Sequence, residues 1–395
     1  MKTNYYSYKF RGLFLGLALF SFTAALPVPG RILAYAKGSS DHSLGMSGST
    51  KSSAKALAPQ PHLLFSPAPL GSTNTWSGGD FNDGDWTSNG NWAGFGGAGP
   101  DDTLVFPQSA ARKSNTNNFP VNTRFKSISI LGSGYTINGN QIFLTFGIIG
   151  NVTATSGANS QFNPNIILDG DQLFTNSGRP LNLNGVLNLD GHHLAVSGTG
   201  SFVFNGSITG GGFINVNTQD FGNAVIKGNA SSVVVTQVDA GQLCVLSPGS
   251  SGPVNLNKGS LCGNGAVGSL FALSTTPASI DPGTGSNTAG ILTANGDVLM
   301  STNTTLNIDL NGFTVGTQYD RLRVVNGDVS LNLANLSLSV TFLPSIGSQF
   351  TIIQDTGGVV TGQFAQGSSI TADGTQFSIT YTGNSVVLTA VRHVL

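Results

Sequence analysis

Glutamate is absent from this 395-residue chain, so all 18 of its acidic residues are aspartates. Charged residues of every kind make up 9%, where an ordinary soluble domain carries about a quarter. Lys, Arg, Gln and Glu are the residues that fill exposed helix faces, and their scarcity leaves little from which to build helices. The 17 basic residues are unevenly placed: seven lie in residues 1–70 beside a single Asp, and the remaining ten face 17 Asp, which gives +6 and −7 for a net charge of −1. A mildly acidic body without clustered Lys and Arg excludes a nucleic-acid binder, because phosphate contacts draw their affinity from counterion release at such clusters. Cysteine is nearly missing, with two residues, and tryptophan is limited to three.

The basic start has its own explanation. Lys2, Lys9 and Arg11 precede an apolar run from Leu13 to Leu26, followed by Pro27, Pro29 and Ala34-Tyr35-Ala36. The run falls short of the ~20 residues of a membrane span and matches a secretory signal, with cleavage expected after Ala36 and Ala25 as the alternative. Residues 1–36 are therefore expected to be a signal peptide. Residues 37–72 are rich in Ser, Ala and Pro and hold no period, as in a disordered linker. The mature chain is expected to be secreted or at the cell surface, with no stable membrane span.

What the chain has in abundance is glycine, 54 residues, about twice the usual share, together with Thr, Val, Ile, Asn and Ser. These are strand and turn formers. One short sentence recurs: Ile137-Asn138-Gly139-Asn140-Gln141-Ile142, then Leu168-Asp169-Gly170-Asp171-Gln172-Leu173, Leu189-Asp190-Gly191-His192-His193-Leu194 and Ile208-Thr209-Gly210-Gly211-Gly212-Phe213. The copies fall 31, 21 and 19 residues apart. A period near 20 with strand on both sides of a glycine turn marks a solenoid coil, whose apolar face is covered only by its neighbours. Strands of three to five residues, such as Phe202-Val203-Phe204 and Ile214-Asn215-Val216, fit a coil better than the longer strands of a hairpin barrel. The fold expected is all-β: a right-handed parallel β-helix over residues 73–290, opened by a cap that holds Trp76, Trp86 and Trp92, then a C-terminal β module over 291–395 with longer, stricter alternation.

At these residues the chain resembles bacterial autotransporter passenger-like proteins that carry autotransporter-associated β-strand repeats. Trp76, Trp86, Asn91-Trp92, Pro100, Asp102 and Phe106 are similar to their opening signature. The stretch from Tyr135 to Gly210 is similar to their repeat core. Ile291-Leu292 to Leu310, Tyr319-Asp320-Arg321-Leu322 and Gly383-Asn384-Ser385-Val386-Val387-Leu388 are similar to their tail. The resemblance implies export, a β-helix, adhesion or surface-layer roles and no shared catalytic residues. The roughly 100 residues after the repeats do not show the ~10-residue alternating strands of a translocator barrel.

Candidate chemistry is sparse. With a 21-residue coil, Asp169 stacks beneath Asp190 and Asp171 beneath His192, each about 4.8 Å apart, and paired carboxylates of this kind serve polysaccharide-active β-helix lyases and hydrolases as acid and base. The competing reading is a repeated solvent turn, since the same slots hold Asn138 and Thr209 in other copies. Asp80-Phe81-Asn82-Asp83-Gly84-Asp85 misplaces its Gly for a calcium loop and has no closing acid, so a solvated turn is expected and no metal. Cys244 and Cys262, 18 residues apart, are one coil's separation and candidates for a disulfide, with two buried thiols as the alternative. The function expected is a non-catalytic surface structural or adhesin-like protein without cofactors, with surface glycan or protein as partner. The alternative is a polysaccharide-active enzyme using Asp169, Asp171, Asp190 and His192.

Overall fold

A computed structural model describes residues 71–94, 96–151, 157–219, 222–285 and 287–394. The expected signal peptide, and all but the last two residues of the expected linker, lie outside them. The described chain is an all-β solenoid of about nine turns with parallel sheets. Among the described residues no helix is long and apolar enough to cross a membrane.

Each central coil visits three faces in order. In one coil these are Ile166–Leu168, Gln172–Asn176 and Leu181–Leu183; in the next, Leu187–Asn188, His193–Gly198 and Phe202–Phe204. Pairing between coils is parallel and in register: Ile166 with Leu187 with Ile208, and Leu181 with Phe202. Sheets of 17, 12 and nine strands result. Alternation decides what is inside. Leu181, Leu183, Phe202, Phe204, Leu194 and Val196 are at most 2% exposed, while the residues between them face outward. One coil alone leaves this stripe in water; stacking covers it at roughly 25 cal/mol per Å².

The register shows which copies of the repeated sentence are equivalent. Ile166, Leu187 and Ile208 share a slot, so the coil there is 21 residues long twice over. Ile137 instead pairs with Phe162 on the third face, and Leu189, two places past Leu187, stands opposite Gly210 rather than Ile208. Glycine turns recur at several corners because each corner makes the same backbone demand. At the corner before the second face Gly170 has φ 122°, Gly191 has φ 81° and Asp190 itself φ 49°, all in the left-handed half that glycine enters without penalty.

The three tryptophans close the first end of the stack. Trp76 and Trp86 are fully buried and Trp92 nearly so. Trp86 stands 5.5 Å from both Phe106 and Phe125, and Trp76 packs edge-on to Trp92 at 5.1 Å. Every indole N–H has an acceptor: Arg112 O, Asn115 Oδ1 and Trp86 O. Asp102 fastens the incoming chain, taking the amide and hydroxyl of Ser72 on one oxygen and Asn74 Nδ2 and Gly99 N on the other.

The expected seam between residues 290 and 291 is bridged. Ile291–Ala294 pairs in parallel with Ala266–Val267 below and Arg321–Val324 above, and Asn335–Val340 continues the third face from Thr304–Leu310. The last turn then changes to antiparallel pairing, Gln349–Asp355 with Ser385–His393, which pairs in turn with Thr375–Tyr381 and so to Ser369–Ala372. Longer strands mark longer coils here, not a separate module.

Cys244 and Cys262 are direct register partners on the third face, Cα atoms 4.5 Å apart and sulfurs bonded. This is the shortest coil, 18 residues. In the loop-entropy picture such a closure is worth about 3 kcal/mol, so Cys262→Ser should lower the unfolding free energy by about that much in denaturant titration.

Both free edges of the third face are blunted. At the first, Thr116 exchanges backbone hydrogen bonds with Gly84 and Trp86. At the last, Gln366 takes the amide of Leu336 and donates to its carbonyl, and Asp373 takes the amide of Val340 at 2.8 Å. Open edges template pairing with other chains. Replacing Gln366 and Asp373 together by Ala should therefore produce higher-order species visible by light scattering, where the wild-type chain shows none. Removing the Trp86 ring, Trp86→Ala, should cost about 3–5 kcal/mol.

Candidate functional site

The structure places the sequence-predicted carboxylates at the corner between the first and second faces. Asp169 forms an ion pair with Arg124, which reaches up from two coils below. Asp171 is exposed; its Oδ1 accepts the backbone N–H of His193 at 2.9 Å and lies 3.8 Å from His192 Nδ1. The expected stacking of Asp171 beneath His192 is off by one. The coil spacing rises from 21 at Ile166 and Leu187 to 22 at Gln172 and Leu194, so the turn carries one extra residue and Asp171 comes level with His193. The His193 ring packs on Phe213 at 4.6 Å. Asp190 sits in the turn itself, exposed, its amide held by Asn188 Oδ1. Arg179 follows the strand Gln172–Asn176 and donates to Asn159 Oδ1; five strand residues at ~3.3 Å each separate it from the carboxylates before that strand. These groups line a solvent corner and do not converge.

The Asp80 to Asp85 loop satisfies itself. Asp83 accepts from Asp85 N, Asn91 Nδ2 and Ser88 Oγ, and these hydrogen bonds, led by that from the Asp85 amide, hold its carboxyl below the usual range. Asp80 accepts from Asn82 N.

Elsewhere on the surface amides are committed to one another. Asn138, Asn163, Asn184 and Asn205 occupy one slot after the third face in four successive coils, each donating from Nδ2 to the Oδ1 below at 2.6, 2.6 and 2.7 Å. Asp239 is encircled by Asn215, Gln237 and Asn257.

One cleft is different. It has a volume of about 240 Å³ and is lined by Asp281, Asn287, Asn307, Ile308, Asp309, Ser337 and Ser339. Its floor is the outer side of the third face, where Asn307 pairs with Ser337 and Asp309 with Ser339, while Leu306, Ile308 and Leu310 point inward and are buried. Two insertions raise its surroundings. From Ile280 to Leu306 the coil is 26 residues and from Leu306 to Leu336 it is 30. The first insertion is a hairpin in which Gly283 pairs antiparallel with Ala289; its Asn287 accepts from Ser339 Oγ and from Asn311 Nδ2. The second runs from Asn311 to Asp320 and returns through an antiparallel bridge between Leu310 and Tyr319.

Asp320 ties both insertions down. It is fully buried; Oδ1 accepts Gly290 N and Oδ2 accepts Asp309 N, each at 2.7 Å. Burial, opposed by these two hydrogen bonds and reinforced by the charges of Asp309 and Asp281, pushes its pKa up to about 7. Burial and the Asp309 charge also raise Asp281. Sequence reasoning missed this cleft. Alternation placed Asn307 and Asp309 on an outer face, but nothing in the text marked the hairpin that brings Asn287 over them.

The folded state holds the Asp320 proton up to about pH 7, while the unfolded carboxyl releases it near 3.8. Between those values the folded state binds more protons, so rising pH removes stability. The thermal midpoint of the wild type should fall across that window relative to Asp320→Asn. The variant should itself be destabilised by about 1–3 kcal/mol, since one backbone N–H loses its acceptor.

No family model matches the chain, and no curated protein matches it significantly. Among solved structures, the chain is similar to the crystal structure of the Haemophilus influenzae Hap adhesin, with 12% identity and a TM-score of 0.31, over 75% of this chain and 42% of that one. The chain thus spans under half the length of that protein.

Proposed function

We propose that the protein is an exported, non-catalytic β-solenoid, an autotransporter passenger-like chain that acts at the cell surface as a spacer and adhesin-like binder of glycan or protein. The observation that carries this reading is the amide ladder from Asn138 to Asn205. Its side chains fix the spacing of coils and repeat one hydrogen-bonding pattern along the column, as multivalent shallow contact requires. The Cys244–Cys262 bond supports an oxidising compartment.

The alternative, a polysaccharide-active enzyme built on Asp169, Asp171, Asp190 and His192, finds less support. Asp169 is paired with Arg124 and Asp171 with the histidines, which leaves no free acid and base facing a common groove.

The full chain should bind a glycan array or host-cell monolayer and release neither reducing nor unsaturated ends from polysaccharide. Release that disappears in Asp169→Asn and Asp190→Asn would establish the enzyme; absence of any adhesion would leave only the spacer.

A further inference from the structure

We propose that the cleft over Asn307 and Asp309 is a binding site for one non-acidic sugar ring, a pyranose at a chain end or branch of the surface glycan. This rests on the adhesin reading and narrows it from the length of the column to one place.

The volume of about 240 Å³ lies just under the ~300–1,000 Å³ of pockets that hold drug-sized ligands and suits a single ring. Its lining offers two carboxylates, amides and hydroxyls, a set that matches the alternating donors and acceptors of a polyol. These groups are also available. The ladder asparagines and Asp239 are committed to neighbouring side chains, and Asn287 and Ser339 to each other. Among the described residues, Asp281, Asn307, Asp309 and Ser337 have side chains with no hydrogen bond or ion pair to protein. They stand in register on adjacent strands, about 4.8 Å apart from strand to strand and ~7 Å apart from Asn307 to Asp309 along one strand, distances a ring's hydroxyls span. The support beneath is rigid: Asp309 N is held by the buried Asp320, and the hairpin carrying Asn287 is held through Gly290 N by the same carboxyl. One coil below, Cys262 is the register partner of Asp281 and is covalently tied to Cys244.

The charge pattern sets the specificity. Asp281 and Asp309 have no basic partner, and each already disfavours the other's ionised form. A uronic or sialic acid would add a third negative charge to the recess. A neutral ring instead donates its hydroxyls to the carboxylates, the stronger kind of hydrogen bond.

Saturation-transfer NMR on the full chain with methyl pyranosides and with glucuronic acid tests this. Transfer to at least one neutral ring and none to the uronic acid is expected, with affinity weakened about tenfold or more in Asp309→Asn and in Asn307→Ala. Asp309→Asn keeps the backbone amide that Asp320 holds, and an unchanged thermal midpoint shows the fold intact; Asp190→Asn, at the far corner, should bind as wild type. No transfer from any neutral ring, equal transfer from glucuronic acid, or unaltered binding in both cleft variants overturns the proposal. If Asp309→Asn still adheres to cells as the wild type does, the cleft is not the contact and the ladder-face reading stands; if the wild type does not adhere, the adhesin reading falls as well.

Discussion

The structure depends on parallel, in-register pairing of one coil on the next. No coil has a core of its own. The residues that bury in a given turn, such as Leu181 and Leu183, find partners only in the turns above and below, at Phe162, Phe202 and Phe204. Two consequences follow from this nearest-neighbour arrangement. Both ends must be closed, and they are closed by different means: a tryptophan cluster at one, antiparallel strands with Gln366 and Asp373 as backbone caps at the other. Loops between faces also tolerate insertion without disturbing the stack, because only the paired residues carry it.

That tolerance is where the cleft comes from. The coils shrink to 18 residues at the cysteine pair and then lengthen to 26 and 30. The added residues do not enter the column. They fold onto the outer side of the third face and convert a flat row of polar side chains into a recess. A single buried carboxylate, Asp320, makes the two additions one body by accepting from both. Its raised pKa is the mark of that position: removed from water, near two like charges, and held ionisable only by backbone donors.

How much of this was legible in the text differs by level. Alternation gave the strands and their buried sides correctly at Phe202-Val203-Phe204 or Leu306-Asn307-Ile308, because the period of two is local. Register was less legible. The sentence at Ile137 reads like that at Leu168, yet the two lie on different faces, since glycine turns answer to corner geometry and not to which corner it is. One extra residue before His193 moved Asp171 from His192 to His193. The recess could not be read at all: Asp281, Asn287 and Asp309 belong to different coils and meet only through an inserted hairpin.

The covalent tie between Cys244 and Cys262 also has a mechanical meaning. A chain tethered at one end and loaded at the other peels turn by turn, each rupture breaking only one short row of backbone bonds. The sulfur bridge interrupts that sequence, since the 18 residues it encloses cannot lengthen whatever the pull. Peeling that starts from the recess-bearing end reaches this knot before it reaches the amide ladder, so the column behaves as two lengths in series, one that yields and one that is shielded behind the bridge.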